Sequence, residues 1–257
     1  MSDAPSPPRL PPFFRLVAFD TVGSTSEEAR RLAADGAPEG TLVWARAQSA
    51  GRGRRGRSWS SPPGNLYLSL LLRPDCPAAA APQLGFVTAV GLGEALDTLL
   101  PADAERPRFK WPNDVLVGGR KIAGILLDAS TGPDGHLDWL IIGVGVNIAS
   151  FPEGTSYGAT SLREAGAGAV GADEVLPVFA SRWLRRLEQW RREGFAPIRQ
   201  AWLENALGLG EMIEVRLERE TLTGRFVELG ETGALVLDLP RAGRRVVAAG
   251  DVSYPAY

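Results

Sequence analysis

The arginine-glycine stretch QSAGRGRRGRSW, from Gln48 to Trp59, most constrains how this chain folds. This arginine loop combines two residue types: Gly51, Gly53, Gly56, Arg52, Arg54, Arg55 and Arg57. Glycine lets backbone N–H groups turn toward a ligand, and a guanidinium group holds carboxylate or phosphate oxygens through paired hydrogen bonds. Strands predicted at 41–47 and 66–72 hold both ends of the loop in a sheet. We therefore expect a loop that closes over an anion.

Other interpretations of the arginine loop compete with this one. Its glycines satisfy the dinucleotide fingerprint G-x-G-x-x-G, with Asp75 at the spacing of a ribose-binding acid. That fingerprint opens a helix, whereas Pro62-Pro63-Gly64 follows here and cannot continue a helical turn. Asp75 itself lies in a proline-rich turn. A basic run is also typical of a solvated or nucleic-acid-facing patch, and the loop alone leaves both readings open.

The composition excludes several classes of protein. A length of 257 residues suits one large domain, or one domain with a small appendix. The formal net charge of −2 opposes a general nucleic-acid binder, because phosphate-driven affinity needs an excess of Lys and Arg. The single cysteine, Cys76, excludes an intrachain disulfide and a multi-cysteine metal site. With His136 as the single histidine, a Ser/His/Asp or Cys/His hydrolase is disfavoured.

The chain shows no targeting or membrane signal. No segment reaches the ~20 unbroken apolar residues of a membrane span. The proline-rich N-terminus lacks the apolar core of a signal peptide. We expect residues 1–12 to form a disordered tail, and we expect a cytoplasmic protein that does not contact a membrane.

Hydrophobic spacing and turn residues predict mixed strands and helices up to about residue 206. Ser24 with Glu27, and Thr25 with Glu28, form overlapping capping boxes for a short helix, and capping is the simplest role for the two hydroxyl groups. The other predicted elements of this region are a strand at 13–20, a helix at 79–100, a buried strand at 140–147 and a helix at 175–193.

A predicted hairpin collects polar residues. Strands at 115–117 and 121–128 flank Gly118-Gly119, a two-residue turn signal. The turn-and-hairpin unit carries Lys110, Asn113, Asp114 and Lys121. In the buried strand at 140–147, two glycines indicate either close approach of a ligand or backbone, or a bulge.

The pattern changes after about residue 207. Four short segments alternate apolar and polar residues between glycine-containing turns, at 211–215, 221–229, 234–239 and 244–248. Four short strands in so few residues predict a small β-barrel. We therefore expect a catalytic domain at 13–206 and a barrel domain at 207–257.

Four motifs occur in the order and approximate spacing of biotin protein ligases: Gly51–Trp59, Lys110–Asp114, Lys121–Ile125 and Gly143–Asn147. From about Phe14 to Ser253 the chain resembles this family, in its monofunctional type that lacks an N-terminal DNA-binding domain. The resemblance implies an α+β fold. A mixed β-sheet packed with helices, the class II synthetase-like biotin/lipoate ligase catalytic domain, would be followed by a small SH3-like β-barrel.

The resemblance also implies an activity. The family activates biotin with ATP to biotinyl-5'-AMP, with Mg²⁺ held mainly by the ATP phosphates, and transfers biotin to a lysine of a biotin carboxyl carrier protein. The implied catalytic residues are Lys121, Arg54 and Asp114, of which Asp114 orients the nucleotide and its metal or accepts a proton. The implied biotin contacts are Ser24, Thr25, Ser26, Gln48, Gly51, Arg52, Gly53, Arg54, Lys121, Gly124, Gly143 and Gly145. The implied ATP and adenylate contacts are Arg52, Arg54, Arg55, Arg57, Trp59, Lys110, Asn113, Asp114, Lys121 and Asn147.

The chain departs from the family pattern at two places. Ser26 stands where the family often has Asn, and Tyr254-Pro255 stands where many members continue with Leu and an arginine, so the barrel's part in nucleotide binding is open. The stretch before Phe13 is too short and too rich in proline for a winged helix, so we expect a ligase without repressor activity or DNA binding. A homodimer is left open. Lipoate and octanoate ligases or transferases resemble the same fold, but the complete arginine-glycine motif with Trp59 favours the biotin branch.

Overall fold

The computed structural model describes residues 8–154 and 158–254. These residues form a seven-stranded sheet covered by helices and a separate five-stranded sheet. Part of the expected disordered tail, residues 1–7, lies outside the described ranges. Leu10 packs against the core, so the disorder predicted for residues 1–12 does not extend to residues 8–12. Within the two described ranges, no helix is both long and apolar enough to cross a membrane.

The larger sheet is mixed, with strand order β1-β2-β3-β7-β6-β5-β4. β1 and β2 run parallel, and the other neighbouring strands run antiparallel. The strands are β1 (Arg15–Val22), β2 (Thr41–Gln48), β3 (Leu66–Leu72), β4 (Arg108–Lys110), β5 (Asp114–Val117), β6 (Arg120–Thr131) and β7 (Leu137–Val146). β7 lies at the centre, which confirms the buried strand predicted at 140–147.

Helices cover both faces of this sheet. Strand side chains alternate between faces, so Leu42 of β2 enters the large core while Val43 packs under the first helix. The helices are α1 (Thr25–Ala34), α2 (Ala81–Leu99), α3 (Ala172–Glu193) and α4 (Ala196–Glu204). α2 and α3 approach closely at Gly91, where a Cβ atom would lie 2.8 Å from the Cα atom of Trp183. The Trp183 Nε1–H group donates to Thr88 Oγ1 at 3.0 Å, which satisfies the indole inside the core.

The β5–β6 hairpin has the predicted two-residue turn. Gly118 and Gly119 have φ values of 58° and 68°, which glycine adopts without steric cost. Positive φ at both turn residues matches the twist of the two strands. The hairpin therefore returns β6 alongside β5 and places Lys121 on the same unit as Asp114.

The smaller sheet forms the barrel, with strand order β11-β10-β9-β8-β12. Its strands are β8 (Met212–Arg216), β9 (Thr221–Leu229), β10 (Leu235–Leu239), β11 (Gly243–Val247) and β12 (Asp251–Ser253). The four predicted strands are confirmed. The fifth, β12, was missed because three residues carry too little alternation to read.

Aromatic packing joins the barrel to the larger domain. The Trp202 ring of α4 lies 5.3 Å from the Phe86 ring of α2 and 6.4 Å from the Phe226 ring of β9, measured between centroids. The Trp111 Nε1–H group donates to the Gly233 carbonyl in the β9–β10 turn at 3.0 Å. A Cβ atom on Gly233 would lie 2.3 Å from the Phe86 ring, so the turn seats directly on α2. The two domains thus share one interface at the side of the sheet where β4 and β5 lie.

Asn65 at the start of β3 fixes the chain that leaves β7. Its Oδ1 atom accepts the backbone N–H groups of Ile148, Ala149 and Ser150 at 2.8, 2.9 and 3.2 Å. Its Nδ2 atom donates to the Ser150 carbonyl at 2.9 Å. Asn65 is only 3% exposed, so its side chain makes these bonds with little competition from water.

We expect Asn65→Ala to lower the free energy of unfolding by about 2 kcal/mol, because three backbone N–H donors, of which that of Ile148 is buried, lose their acceptor. Asn65→Asp keeps the acceptor oxygen and should lose clearly less. Urea denaturation of the two variants measures both values. Equal stability of Asn65→Ala and the parent chain would show that the loop does not depend on this side chain.

Candidate functional site

One cavity lies where the centre of the larger sheet, the arginine loop and the barrel meet. The start of α1 and the end of β2 close one end, and the β4–β5 turn and β12 close the other. The sequence-predicted residues that line it are Ser24, Thr25, Ser26, Gln48, Arg52, Gly53, Arg54, Arg57, Trp59, Lys110, Asn113, Asp114, Lys121, Gly124, Gly143 and Gly145. Residues scattered over more than a hundred positions are thus brought to one site.

The α1 end of the cavity is a buried hydrogen-bond network. The Thr25 backbone N–H and side-chain hydroxyl both donate to Gln48 Oε1, at 2.8 and 3.1 Å. The Gln48 Nε2 group donates to Ser61 Oγ at 2.9 Å. Ser69 Oγ donates to Thr25 Oγ1 at 2.9 Å and lies 3.0 Å from Ser26 Oγ. Because every member has a partner, these groups are held in fixed orientations.

The predicted capping boxes at this end are wrong. Ser24 occupies the N-cap position in extended backbone, but its side chain makes no capping hydrogen bond. Thr25 is the first helical residue, and its hydroxyl group is used by Gln48 and Ser69. Tertiary partners in the sheet therefore replace the local capping that the spacing suggested. Capping alone does not account for these hydroxyl groups.

Close packing explains the glycines of β6 and β7. A Cβ atom on Gly145 would lie 2.5 Å from Trp59 Cε2, and one on Gly124 would lie 3.1 Å from Trp59 Cζ3. A Cβ atom on Gly143 would lie 2.8 Å from Ser26 Oγ. The pairing of β7 with β3 is regular through these positions, so a bulge is not the reason for them. The three glycines form the floor of the cavity, and the Trp59 indole lies on it at Gly124 and Gly145.

Positive charge collects at the opposite end. The Lys121 Nζ atom lies 2.6 Å from Asp114 Oδ1 and 5.2 Å from the centroid of the Trp59 ring. An Arg54 NH1 group donates to Asn113 Oδ1 at 3.2 Å, and Asn113 Nδ2 donates to the Ile125 carbonyl at 2.7 Å. Asn113 thus orients Arg54 from the β4–β5 turn, and the ion pair with Asp114 orients Lys121.

Burial makes these charges costly. Burial is the main reason that the pKa of Lys110 is lowered to about 8; the charges of Lys121 and Arg57 also lower it, and those of Asp114 and Asp251 oppose the shift. Burial also lowers the pKa of Arg54, partly offset by Asp251. An anion placed among these groups would recover the lost solvation of several cations at once. The site is therefore suited to an anionic ligand.

The barrel contributes a carboxylate that the sequence analysis missed. Asp251 Oδ2 lies 2.9 Å from an Arg55 nitrogen and 2.7 Å from an Arg57 nitrogen, and Asp251 Oδ1 lies 3.8 Å from Arg54. Asp251 also lines the cavity. No local pattern distinguishes it from the other acidic residues of the chain, so its partners are visible only in three dimensions.

Three predicted residues do not line the cavity. The Arg55 guanidinium is held outside it by Asp251. The buried Asn147 side chain donates to the Thr160 carbonyl at 3.0 Å, so it supports the backbone behind Lys121. Gly51 packs under the loop, where a Cβ atom would lie 2.4 Å from the Trp59 carbonyl oxygen. These positions support the site from outside the cavity. Arg52, at its edge, pairs with Glu27.

Comparison with known proteins agrees with this geometry. Residues 19–147 match the biotin/lipoate A/B protein ligase family, and residues 208–254 match the biotin protein ligase C terminal domain. The class defined by fold and site is therefore that of the biotin and lipoate ligases. The structure of a biotin protein ligase from Aquifex aeolicus in complex with biotin and ATP superimposes with a TM-score of 0.79 at 30% identity, covering 93% of this chain and 97% of that one.

Two sequence relatives show to which family within this class the chain belongs. The chain is 43% identical to a biotin–[acetyl-CoA-carboxylase] ligase of Paracoccus denitrificans, over 90% of this chain and 97% of that protein. It is 34% identical to the bifunctional ligase/repressor BirA of Bacillus subtilis, over 91% of this chain and 72% of that protein. The chain belongs to the biotin protein ligases, a family of enzymes. The predicted fold, a mixed sheet with helices followed by a small barrel, is confirmed.

We expect Gly145→Ala to displace the Trp59 indole from its floor, because the new Cβ atom would overlap the ring. The loop hydrogen bond from Trp59 N–H to the Gly51 carbonyl should then open more often. Hydrogen–deuterium exchange of the peptide covering residues 51–59 measures this. Gly171→Ala, at a helix start with room for a methyl group, is the control and should exchange like the parent chain. Unchanged exchange in Gly145→Ala would contradict the packing argument.

Proposed function

We propose that this protein joins biotin to ATP, giving biotinyl-5'-AMP and pyrophosphate, and then transfers biotin to a lysine of a biotin carboxyl carrier protein. The observation that supports this most is the meeting of two unlike regions in one cavity. A neutral pocket with the hydrogen-bonded Thr25 and Gln48 side chains lies at one end, and partly buried cations lie at the other. A ligand with an uncharged polar head and a carboxylate tail would fit this arrangement, with its carboxylate at the cationic end. The phosphates that the carboxylate must attack would bind at the same cationic end.

The neutral end is our proposed biotin pocket. Thr25 and Gln48 present amide and hydroxyl groups already fixed by their neighbours, so little ordering is needed on binding. The floor of Gly124, Gly143 and Gly145 carries no side chains, and the Trp59 indole lies against it at Gly124 and Gly145. We propose that a flat ring system binds between the indole and this floor. Trp59, Arg52 and Gly53 would close over it from the arginine loop. A relative from Aquifex aeolicus was solved in complex with biotin and ATP, which supports the assignment of both ligands.

The cationic end is our proposed activation site. A biotin carboxylate oxygen attacks the α-phosphorus of ATP, and the bond to pyrophosphate breaks. Two anions must approach each other in this step, so fixed positive charges lower its barrier. We assign this role to Lys121 and Arg54, with Lys110, Arg57 and Asn113 near the phosphates. Mg²⁺ would accompany the ATP phosphates. Within the described ranges no group of three or more His, Cys, Asp or Glu side chains is placed to hold a metal ion.

The transfer step needs a group that accepts a proton. The lysine amine of the carrier attacks the biotinyl carbonyl carbon, the bond to AMP breaks, and the amine loses a proton. We propose that Asp114 accepts that proton, because its side chain lines the cavity beside Lys121. Its alternative role is to orient the nucleotide and its metal. Exclusion of water by the arginine loop would protect the mixed anhydride until the carrier arrives.

The partner we propose is the carrier protein of a biotin-dependent carboxylase, in line with the name of the Paracoccus relative. Lipoate is the rival substrate, since the matched family includes lipoate ligases.

We expect purified protein with biotin, ATP and Mg²⁺ to increase the mass of a biotin carboxyl carrier domain by one biotinyl group. Lys121→Ala should lose nearly all of this activity while its urea midpoint stays close to that of the parent chain, because a charge is lost at a site and not in the core. Arg120→Ala, the exposed neighbour that pairs with Glu164, is the control and should remain active. No mass increase, or preferential formation of lipoyl-adenylate in competition with lipoate, would refute the proposal.

We expect the KM for ATP to rise as the pH increases through about 8. Lys110 has its pKa lowered from 10.5 to about 8, so it is charged below that pH and neutral above it. The phosphates are attracted to the charged form, so KM should approach a rise of roughly tenfold per pH unit. In Lys110→Met the KM should be high at every pH and lack this rise. Steady-state kinetics from pH 7 to 9.5 gives the profiles, and a parallel rise in both proteins would exclude Lys110 as its cause.

A further inference from the structure

We propose that Asp251 is a positioning residue through which the barrel fastens the arginine loop over the cavity. This inference rests on the proposed function, because its kinetic consequence is how long biotinyl-5'-AMP stays bound. It also gives the barrel a task in the reaction. Arg55 and Arg57 then act as anchors of the loop, and Arg57, unlike Arg55, also lines the cavity together with Arg54.

The contacts come from one carboxylate and three arginines. Arg55 and Arg57 donate to the same oxygen, Asp251 Oδ2, at 2.9 and 2.7 Å, and Arg54 lies 3.8 Å from the other oxygen. The Asp251 side chain is 20% exposed, so solvent screens these pairs less than it would on the open surface. Three like charges lie close together here, and Asp251 offsets their repulsion.

The backbone of the loop aims its arginines at the barrel. Gly53 N–H donates to the Arg57 carbonyl at 2.7 Å, which closes a tight turn around residues 54–56. Arg55 has φ of 55°, in the left-handed region that a residue with a side chain seldom occupies. A compensating contact has to hold such a conformation. The ion pair with Asp251 supplies one.

The other half of the contact is fixed by the sheet. Asp251 opens β12 and pairs with Arg216 of β8 in antiparallel register. Gly250, directly before it, packs so closely that a Cβ atom would lie 2.8 Å from Val215 Cγ1. The barrel therefore presents the carboxylate from a rigid position, and the arginine loop adjusts to it.

The contact of Asp251 with Arg55 and Arg57, which we call the anchor, affects the cavity through Trp59. This residue follows the anchored turn and covers the floor at Gly145 and Gly124. Loss of the barrel contact would leave Arg54 at Asn113 and Arg52 at Glu27 as the side-chain ties of the turn. The arginine loop would open more often, and a ligand beneath it would dissociate faster.

The kinetic test compares Asp251→Asn with Asp251→Glu and with Asp238→Asn. Asp238 is an exposed barrel carboxylate on β10 and serves as the matched control. Biotinyl-5'-AMP is formed on each protein, excess unlabelled biotin and ATP are added, and release of the labelled adenylate is followed. We expect roughly fivefold to tenfold faster release for Asp251→Asn, partial restoration in Asp251→Glu, and parent-like release in Asp238→Asn. Parent-like release in Asp251→Asn, with only the KM for ATP raised, would overturn the proposal.

A double-mutant cycle separates anchoring from a direct role of the arginines in nucleotide binding. Arg55→Gln/Arg57→Gln should speed release as Asp251→Asn does, and the triple variant should add little, because all three changes remove the same contact. Fully additive effects would refute the anchor.

The second measurement does not depend on catalysis. Trypsin cleaves after arginine, so cleavage within residues 52–57 of the ligand-free protein reports opening of the loop. We expect faster cleavage in Asp251→Asn than in the parent chain and in Asp238→Asn, and equal rates would refute the anchor. If the parent chain forms no adenylate, the proposed function fails, and this measurement still decides on the anchor.

Discussion

The gathering of positive charge around one cavity is the constraint on which the rest of the structure depends. Lys110, Lys121 and the arginine loop would repel one another if each stood alone in a partly buried site. Carboxylates from three separate elements offset that repulsion: Glu27 from α1, Asp114 from β5 and Asp251 from β12. The cavity therefore requires both domains and the loop between β2 and β3, because each brings part of the balancing charge.

The central strand meets a second constraint, that of space. β7 lies in the middle of the larger sheet and carries glycine where the loop tryptophan comes down on it. Glycine inside a strand costs stability, and the sheet tolerates it because β3 and β6 flank β7 over nearly its whole length. The floor of the cavity is thus built where neighbouring strands support the backbone best.

Much of this could be read from the sequence, and the limits have physical causes. The strands, the Gly118-Gly119 turn and the four barrel segments were predictable because period and turn chemistry are local. The capping boxes at Ser24 and Thr25 were not correct: the Ser24 side chain makes no capping hydrogen bond, and the Thr25 hydroxyl group bonds instead to Gln48 and Ser69 of the sheet. Arg55 and Asn147 were expected at the nucleotide, but whether a side chain faces a cavity or a neighbouring domain depends on long-range packing. Asp251 has no signal in the sequence at all.

The packing of the β9–β10 turn against α2 has a consequence for chimaeric proteins that combine the catalytic domain of one relative with the barrel of another. Gly233 has φ of 84° and lies against the Phe86 ring with no room for a side chain, while its carbonyl accepts the Trp111 indole N–H. The angle between the barrel and the sheet therefore depends on a contact that has no space for a side chain at Gly233. A barrel with any larger residue at this point could fold by itself and still meet this catalytic domain tilted away from the cavity it should close. The two domains form a matched pair, and Gly233 is the point of the interface that tolerates a larger residue least.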